Sequence, residues 1–236
     1  MKNGIDVSQH QGNIDWSAVK TDFAIIRAGY GKVKTQIDTQ FERNYNGAKA
    51  AGIPVGAYWY SYATSVEEAI LEAEAFLHTL EGKTFEYPVY LDIEEKATLN
   101  LGCNKVSDIV TTFLNYMEKA GYFAGLYMSA SPLTQFTTQF VKNRYAIWVA
   151  HYGVSKPSYS GQYGMWQKSS TGRVSGINGN VDLDECYVDY PYEIKKAGRN
   201  GFKAPTSEPV KPTPKTINVE MTVDGVKYAG TLTEKK

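Results

Sequence analysis

Three short segments carry carboxylates where they could act together. Tyr90-Leu91-Asp92-Ile93-Glu94, Gly4-Ile5-Asp6-Val7-Ser8 and Val181-Asp182-Leu183-Asp184 each alternate aliphatic with acidic residues. Successive side chains of a strand point to opposite faces. Asp92 and Glu94 therefore share a face, Asp6 opposes Ile5 and Val7, and Asp182 and Asp184 oppose Val181 and Leu183. Crowded acids raise one another's pKa, and a poorly solvated carboxyl keeps its proton near neutral pH. Glycoside hydrolysis uses such a set. One protonated carboxyl donates to the leaving oxygen, while another attacks, activates water or supports the positive centre. Two other uses compete. Acids at strand ends also cap helices or pair with bases, here Arg27 or Arg144. An all-carboxylate set could also hold magnesium or calcium, but nothing resembles a calcium loop. An Asp-x-Glu pair with two further strand-borne acids favours catalysis.

Aromatic residues belong to the same strands. Tyr58, Tyr60 and Tyr62 share one side, Tyr127 points inward, and Trp148 and Trp166 oppose aliphatic or polar neighbours. Deep in a barrel such rings fill space; near its mouth they can pack on sugar rings. Tyr58, Tyr60, Tyr127, Trp148 and Trp166 are the expected substrate contacts. His10 follows the first acidic strand and is placed to line a cleft. No His-x-x-x-His pair, nucleophile-elbow serine or phosphate-cradling glycine loop is present, so no metal site and no cofactor is expected.

These side chains need a scaffold. Strand candidates run over 4–8, 23–30, 54–62, 88–94, 123–129, 145–152, 163–168 and 180–184. Three helices have clear signals. Thr39–Gly52 opens with Thr39 and Glu42 at capping-box spacing, and Ser65–Leu80 with Ser65 and Glu68. The second carries an apolar stripe through Val66, Ala69, Ile70, Ala73, Phe76, Leu77 and Leu80. Asn104–Gly121 carries Val106, Ile109, Val110, Phe113, Leu114 and Met117. Short helices are expected at Trp16–Val19 and Ser131–Phe140. Alternating strands and helices predict a parallel sheet in an α/β fold, and eight strands predict a closed barrel. An open doubly wound sheet is the alternative. Little helix separates the last three strands, so the barrel should be irregular.

The composition changes after Tyr192. Domain boundaries are expected at 1–196 for the barrel, 197–215 for a linker and 216–236 for a tail. Pro205, Pro209, Pro212 and Pro214 make the linker semi-rigid. Ile217, Val219, Met221 and Val223 alternate with polar residues up to Asp224-Gly225, a hairpin turn, and Val226, Tyr228 and Leu232 return. A lone apolar-faced hairpin needs something to dock on, and a homo-oligomer through residues 216–236 is the favoured answer. The 25 basic residues balance the 25 acidic ones, which excludes the basic excess of a nucleic-acid partner. No apolar run is long enough for membrane insertion. Cys103 and Cys186 are expected as free thiols.

The motifs resemble a known family. Gly4-Ile5-Asp6-Val7-Ser8 with Gln11-Gly12 and Ile14-Asp15-Trp16 is similar to the opening of glycoside hydrolase family 25, the Chalaropsis-type lysozymes. The likeness continues through Phe23–Ala28, Gly56-Ala57-Tyr58, Leu91–Glu94, Gly125-Leu126-Tyr127, Trp148-Val149-Ala150, Met165-Trp166-Gln167 and Val181-Asp182. The resemblance implies an irregular TIM-like (β/α) barrel of eight strands and about five helices. It implies cleavage of the β-1,4 bond between N-acetylmuramic acid and N-acetylglucosamine in bacterial peptidoglycan. Its catalytic acids fall on Asp6, Asp92, Glu94 and Asp182, with Glu94 as general acid, Asp92 assisting, and Asp6 and Asp182 tuning them. Many members come from bacteriophages and carry a wall-binding or oligomerising tail. Met1-Lys2-Asn3-Gly4 runs straight into a strand-like segment without an apolar signal region. A phage or prophage endolysin, made in the host cytoplasm and acting on the wall after release, is therefore expected. A wall-binding barrel without catalysis is the alternative. A chitinase-like barrel is the third reading, disfavoured because Glu86-Tyr87-Pro88 stands where its longer acidic motif would lie.

Overall fold

The computed structural model describes residues 1–204 and 216–233, which form two compact units, one through Ala204 and one from Pro205. The first is a closed barrel of β1 (Lys2–Val7), β2 (Phe23–Tyr30), β3 (Val55–Tyr60), β4 (Val89–Asp92), β5 (Ala124–Ser129), β6 (Ala146–Ala150), β7 (Met165–Gly172) and β8 (Val181–Cys186), neighbours in that order. The eight expected strands are all present. β1 to β7 pair in parallel, but β8 runs antiparallel to both β7 and β1. The expectation of an all-parallel sheet is corrected there: no helix separates β7 from β8, so the chain can only turn back.

Helices α1 (Phe41–Ala50), α2 (Val66–Leu80), α3 (Lys96–Leu99), α4 (Cys103–Lys119), α5 (Ala130–Phe136), α6 (Gln139–Arg144) and α7 (Tyr190–Lys196) surround the barrel. The expected single helix over 131–140 is two, and the one over 16–19 is a turn. Ser65 caps α2 through the Glu68 amide as its spacing predicts. Thr39 does not cap α1; its hydroxyl donates to Gln9, and Asp38 accepts the Gln40 amide instead. On α4 all six residues of the predicted stripe are buried. On α2 the buried face is rotated to include Glu72, Ala75 and Thr79, because Glu72 turns inward to accept the Ser61 hydroxyl and the Tyr62 amide.

Strand alternation builds two cores. Ile5, Val7, Ile26, Trp59, Leu91, Leu126, Ile147 and Val149 point outward to the helices. Phe23, Ile25, Tyr87, Tyr90, Tyr127, Trp148, Met165 and Tyr190 fill the interior. Small residues make room: a Cβ on Gly4 would lie 2.2 Å from the Phe23 ring, and one on Gly125 would lie 2.5 Å from Tyr90. The base of the interior is therefore tightly packed, and a pocket opens at the strands' upper ends.

Residues 197–204 belong to the barrel unit, not to a linker, because Asn200 is fully buried. Its amide donates to the Phe85 and Tyr87 carbonyls at 3.1 and 2.8 Å, and its oxygen accepts the Phe123 amide at 2.7 Å. The proline-rich stretch 205–215 lies outside the described residues. In the second unit β9 (Thr216–Val223) and β10 (Val226–Thr233) form the expected hairpin, with Val226, Tyr228 and Leu232 opposite Val223, Met221 and Ile217. Both cysteines are free.

Asn200→Ala leaves three backbone groups unpaired, and the expected cost is about 2–4 kcal/mol, read as a lower urea midpoint with an unchanged slope. An unchanged midpoint would mean that the 197–204 segment contributes little to the barrel.

Candidate active site

Each acid reaches the same place by a different local route. Asp6 is the last inward residue of β1, between the outward Ile5 and Val7. Asp92 ends β4. Glu94 lies two residues beyond the strand, where the Ile93 amide still donates to the Tyr127 carbonyl at 3.2 Å. That bond prolongs the parallel pairing and keeps Glu94 on the face of Asp92. Asp182 begins the reversed β8 and is the register partner of Asp6. Asp184 follows one level deeper, between Gly4 and Gln167.

The four acids named from sequence all line one pocket of about 290 Å³. Tyr58, Tyr60, Tyr127 and Trp148 line it too, as does His10. Trp166 does not. On β7 it is Gln167 that faces the pocket, so its neighbour Trp166 faces the helices and donates its indole N–H to the His151 carbonyl at 2.9 Å. The inward choice of the aromatic residue over its polar neighbour is thus corrected: the glutamine is needed inside as a hydrogen-bonding partner. Trp148 is only 1% exposed and serves as floor rather than platform, its N–H bonded to Asp184 at 2.8 Å. Gln167, Arg27, Ser8 and Gln11, which stand in the family-like motifs but were not singled out as site residues, complete the wall with Tyr152, which carried no sequence signal.

No base neutralises these carboxyls among the described residues. Arg27 is held by Asp38 at 2.7 Å and Arg144 pairs with Glu118, so neither expected counter-ion is available. Burial is accordingly the leading cause of every shift in the set. Asp6 is pushed well up by burial and then by Asp184 and Asp182. Asp92, with Oδ1 unpartnered, is raised by burial and by Glu94, against a smaller opposing pull from Arg27. Glu94 is raised by burial and by Glu95. Asp182 is pushed to about 6 and Asp184 to about 8. Glu94 is also the exposed member of the set, whereas Asp6 and Asp92 are buried. A carboxyl whose hold on its proton is strengthened, and which stands at the opening, is suited to protonate an incoming oxygen.

The pocket has extensions. One of about 430 Å³ continues past Tyr60, His10 and Arg27 to Tyr30 and Tyr62, and another of about 350 Å³ continues past Tyr152 to His151, Ser129 and Ser131.

A barrel with uncompensated acids at the mouth defines a glycosidase-type site. The family model described as Glycosyl hydrolases family 25 matches residues 5–177, which include Asp6, Asp92 and Glu94. The autolytic lysozyme of Clostridium acetobutylicum is 34% identical over 185 residues, 77% of this chain and 55% of that protein. Lysozyme M1 of Streptomyces globisporus is 32% identical over 198 residues, 77% of this chain and 66% of that one. Among solved structures, the CTP1L endolysin is similar with a TM-score of 0.73 and 29% identity, over 83% of this chain and 70% of that chain. The bacterial lysozyme from Streptomyces coelicolor gives a TM-score of 0.69 and 28% identity, over 83% and 96%. The chain belongs to glycosyl hydrolase family 25. It spans between about half and two thirds of the length of the two lysozymes named first.

The raised carboxyls make stability depend on pH. Asp6, Asp92, Asp182, Asp184 and Glu72, the last pushed to about 7, bind protons more tightly folded than unfolded. Their contribution is complete below the ordinary carboxyl range and is lost as pH rises through the folded values. The melting temperature should therefore fall between pH 5 and pH 8. Asp92→Asn should raise it at pH 8 by about 2–4 °C, the equivalent of about 1 kcal/mol. A melting temperature that climbs over this range would contradict the assignment.

Proposed function

We propose that this chain is an N-acetylmuramidase that hydrolyses the β-1,4 bond between N-acetylmuramic acid and N-acetylglucosamine in peptidoglycan. The observation that carries this reading is the gathering of Asp6, Asp92, Glu94 and Asp182 in one pocket with no paired base among the described residues, in a chain of family 25. The extensions on two sides suit a polymer rather than a free disaccharide.

Glu94 gives its proton to the glycosidic oxygen as the bond from that oxygen to the anomeric carbon breaks, and the departing sugar leaves with a hydroxyl. Positive charge grows at the anomeric carbon until a water oxygen bonds to it and the water's proton passes to a carboxylate of the site, which completes the hydrolysis. Asp92 lies beneath that carbon and supports the charge or orients the substrate's acetamide. Asp6 and Asp182 keep the upper interior acidic and shape the pocket. Tyr58, Tyr60 and Tyr127 present hydroxyls and ring edges to the sugar.

The same reading extends to context. The chain acts as a phage or prophage endolysin that reaches the wall from the cytoplasm at lysis. The tail joins copies of the chain: Ile217, Val219, Met221 and Val223 lie on the same hairpin face as Val226, Tyr228 and Leu232, and an isolated two-stranded sheet is marginal in water. A chain ending at Ala204 should have a lower solution mass per particle than the full chain by light scattering. Equal subunit numbers would remove self-association from the tail.

The catalytic reading is tested by reducing-end release from purified Gram-positive peptidoglycan, with mass spectrometry of the fragments, for the parent and Glu94→Gln. The substitution keeps the shape and removes the transferable proton. The parent should yield fragments with muramic-acid reducing ends, and the folded variant should lose on the order of 100-fold to 10,000-fold in rate. Wall binding by the parent without any fragments would replace the enzyme with a binding module.

A further inference from the structure

Asp184 stands one step below the pocket without lining it, and it is 1% exposed. Its Oδ1 accepts the Trp148 indole N–H at 2.8 Å, while its Oδ2 meets no N–H or other evident donor. The group that acts on it from the pocket side is another acid, Asp6, whose register partner Asp182 lies two residues before Asp184 on β8. The neighbours limit which oxygens are free to meet. An indole N–H can only donate, so Asp184 Oδ1 is an acceptor. The Tyr127 and Tyr152 hydroxyls donate to Gln167 Oε1 at 2.7 and 2.5 Å, and Gln167 Nε2 donates to Asp6 Oδ2 at 2.6 Å. One oxygen of each carboxyl is thus committed as an acceptor. The remaining oxygens can meet only with a proton between them, since neither acid has an ion-pair partner among the described residues.

We propose that Asp184 is a positioning residue of this site: it shares a proton with Asp6 and so holds Asp6 neutral against the pocket. A neutral Asp6 places no negative charge beside its register partner Asp182 and so lets Asp182 ionise. The other titratable groups around the pair do not compete for this role. Asp92 and Glu94 face it from β4 and its extension, and Arg27 on β2 is engaged by Asp38. Tyr58, Tyr90, Tyr127 and Tyr152 are all pushed up and stay neutral, as does Cys186, raised to about 11. The inference relies on the muramidase reading for one of its two readouts only.

Asp184→Asn offers Asp6 an N–H in place of an acceptor. Asp6 then ionises beside Asp182, which holds its own proton to higher pH. The test follows kcat/KM on purified peptidoglycan from pH 4 to 9 for the parent and Asp184→Asn. Alongside it, the Trp148 indole NMR resonance is followed over the same range for the parent and Asp6→Asn. The acid limb of Asp184→Asn should move up by about one pH unit, with about tenfold lower kcat/KM on that limb. The Trp148 titration should shift to lower pH in Asp6→Asn, where an amide N–H now faces Asp184. An acid limb coincident with the parent's, or a Trp148 titration identical in parent and Asp6→Asn, overturns the proposal. Should Asp184→Asn not fold, the Trp148 comparison decides alone. If the parent releases no fragments, the muramidase reading fails, while the Trp148 comparison still decides the proton.

Discussion

Five carboxyls, Asp6, Asp92, Glu94, Asp182 and Asp184, crowd the upper interior of this barrel without an ion-pair partner among the described residues. Buried like charges cannot all ionise, so protons stay where an ordinary surface acid would lose them. The rest of the architecture accommodates that constraint. A solid aromatic base and two apolar cores supply the burial that offsets it, and Gln167, Trp148 and the surrounding tyrosines supply directed N–H and O–H groups. Arg27, the cation nearest the pocket, is diverted to Asp38, which also holds the Gln9 and Gln40 amides. A free guanidinium among the acids would draw off their protons and remove the donor that glycosidic cleavage needs.

The reversal of β8 is the structural means of completing the set. In a uniformly parallel barrel, residues near the start of a strand lie at the closed end. Because β8 runs the other way, Asp182 enters at the mouth and Asp184 falls one layer beneath it. Two acids spaced by one residue thus occupy different depths and take different roles. The same reversal places Gln167 beside Asp184, joining β7 to the proton network. The family match ends at residue 177, yet the fold returns Asp182 to the acids within it.

Glu94 gains its position from a different device. It stands beyond its strand, on a segment tethered by one backbone bond to β5, with α3 beginning two residues later. Solvent and substrate can reach it there, while the neighbouring Glu95 strengthens its hold on a proton. Rigid support below an accessible acid is the arrangement expected where a proton must be both retained and delivered.

Much of this was legible in the sequence. The period-two alternation around Asp6, Asp92 and Asp182 fixed which side chains share a face, since adjacent residues of a strand cannot point the same way. Ser65 and the α4 stripe were legible for the same reason: caps and helical periodicity are local. The direction of β8 was not, because pairing partners lie far apart in the chain. Trp166 and Gln167 could not be assigned either, because both faces of a barrel strand are buried and alternation alone does not say which face is inside. Nor could local pattern reveal that Asp38 would take Arg27, that Glu72 would turn inward, or that Asn200 would seal the base. The sequence by itself determined the acids and the strands that bear them. Their depth, their missing counter-ions and the direction of each hydrogen bond were decided by tertiary structure, because those depend on closure of the barrel.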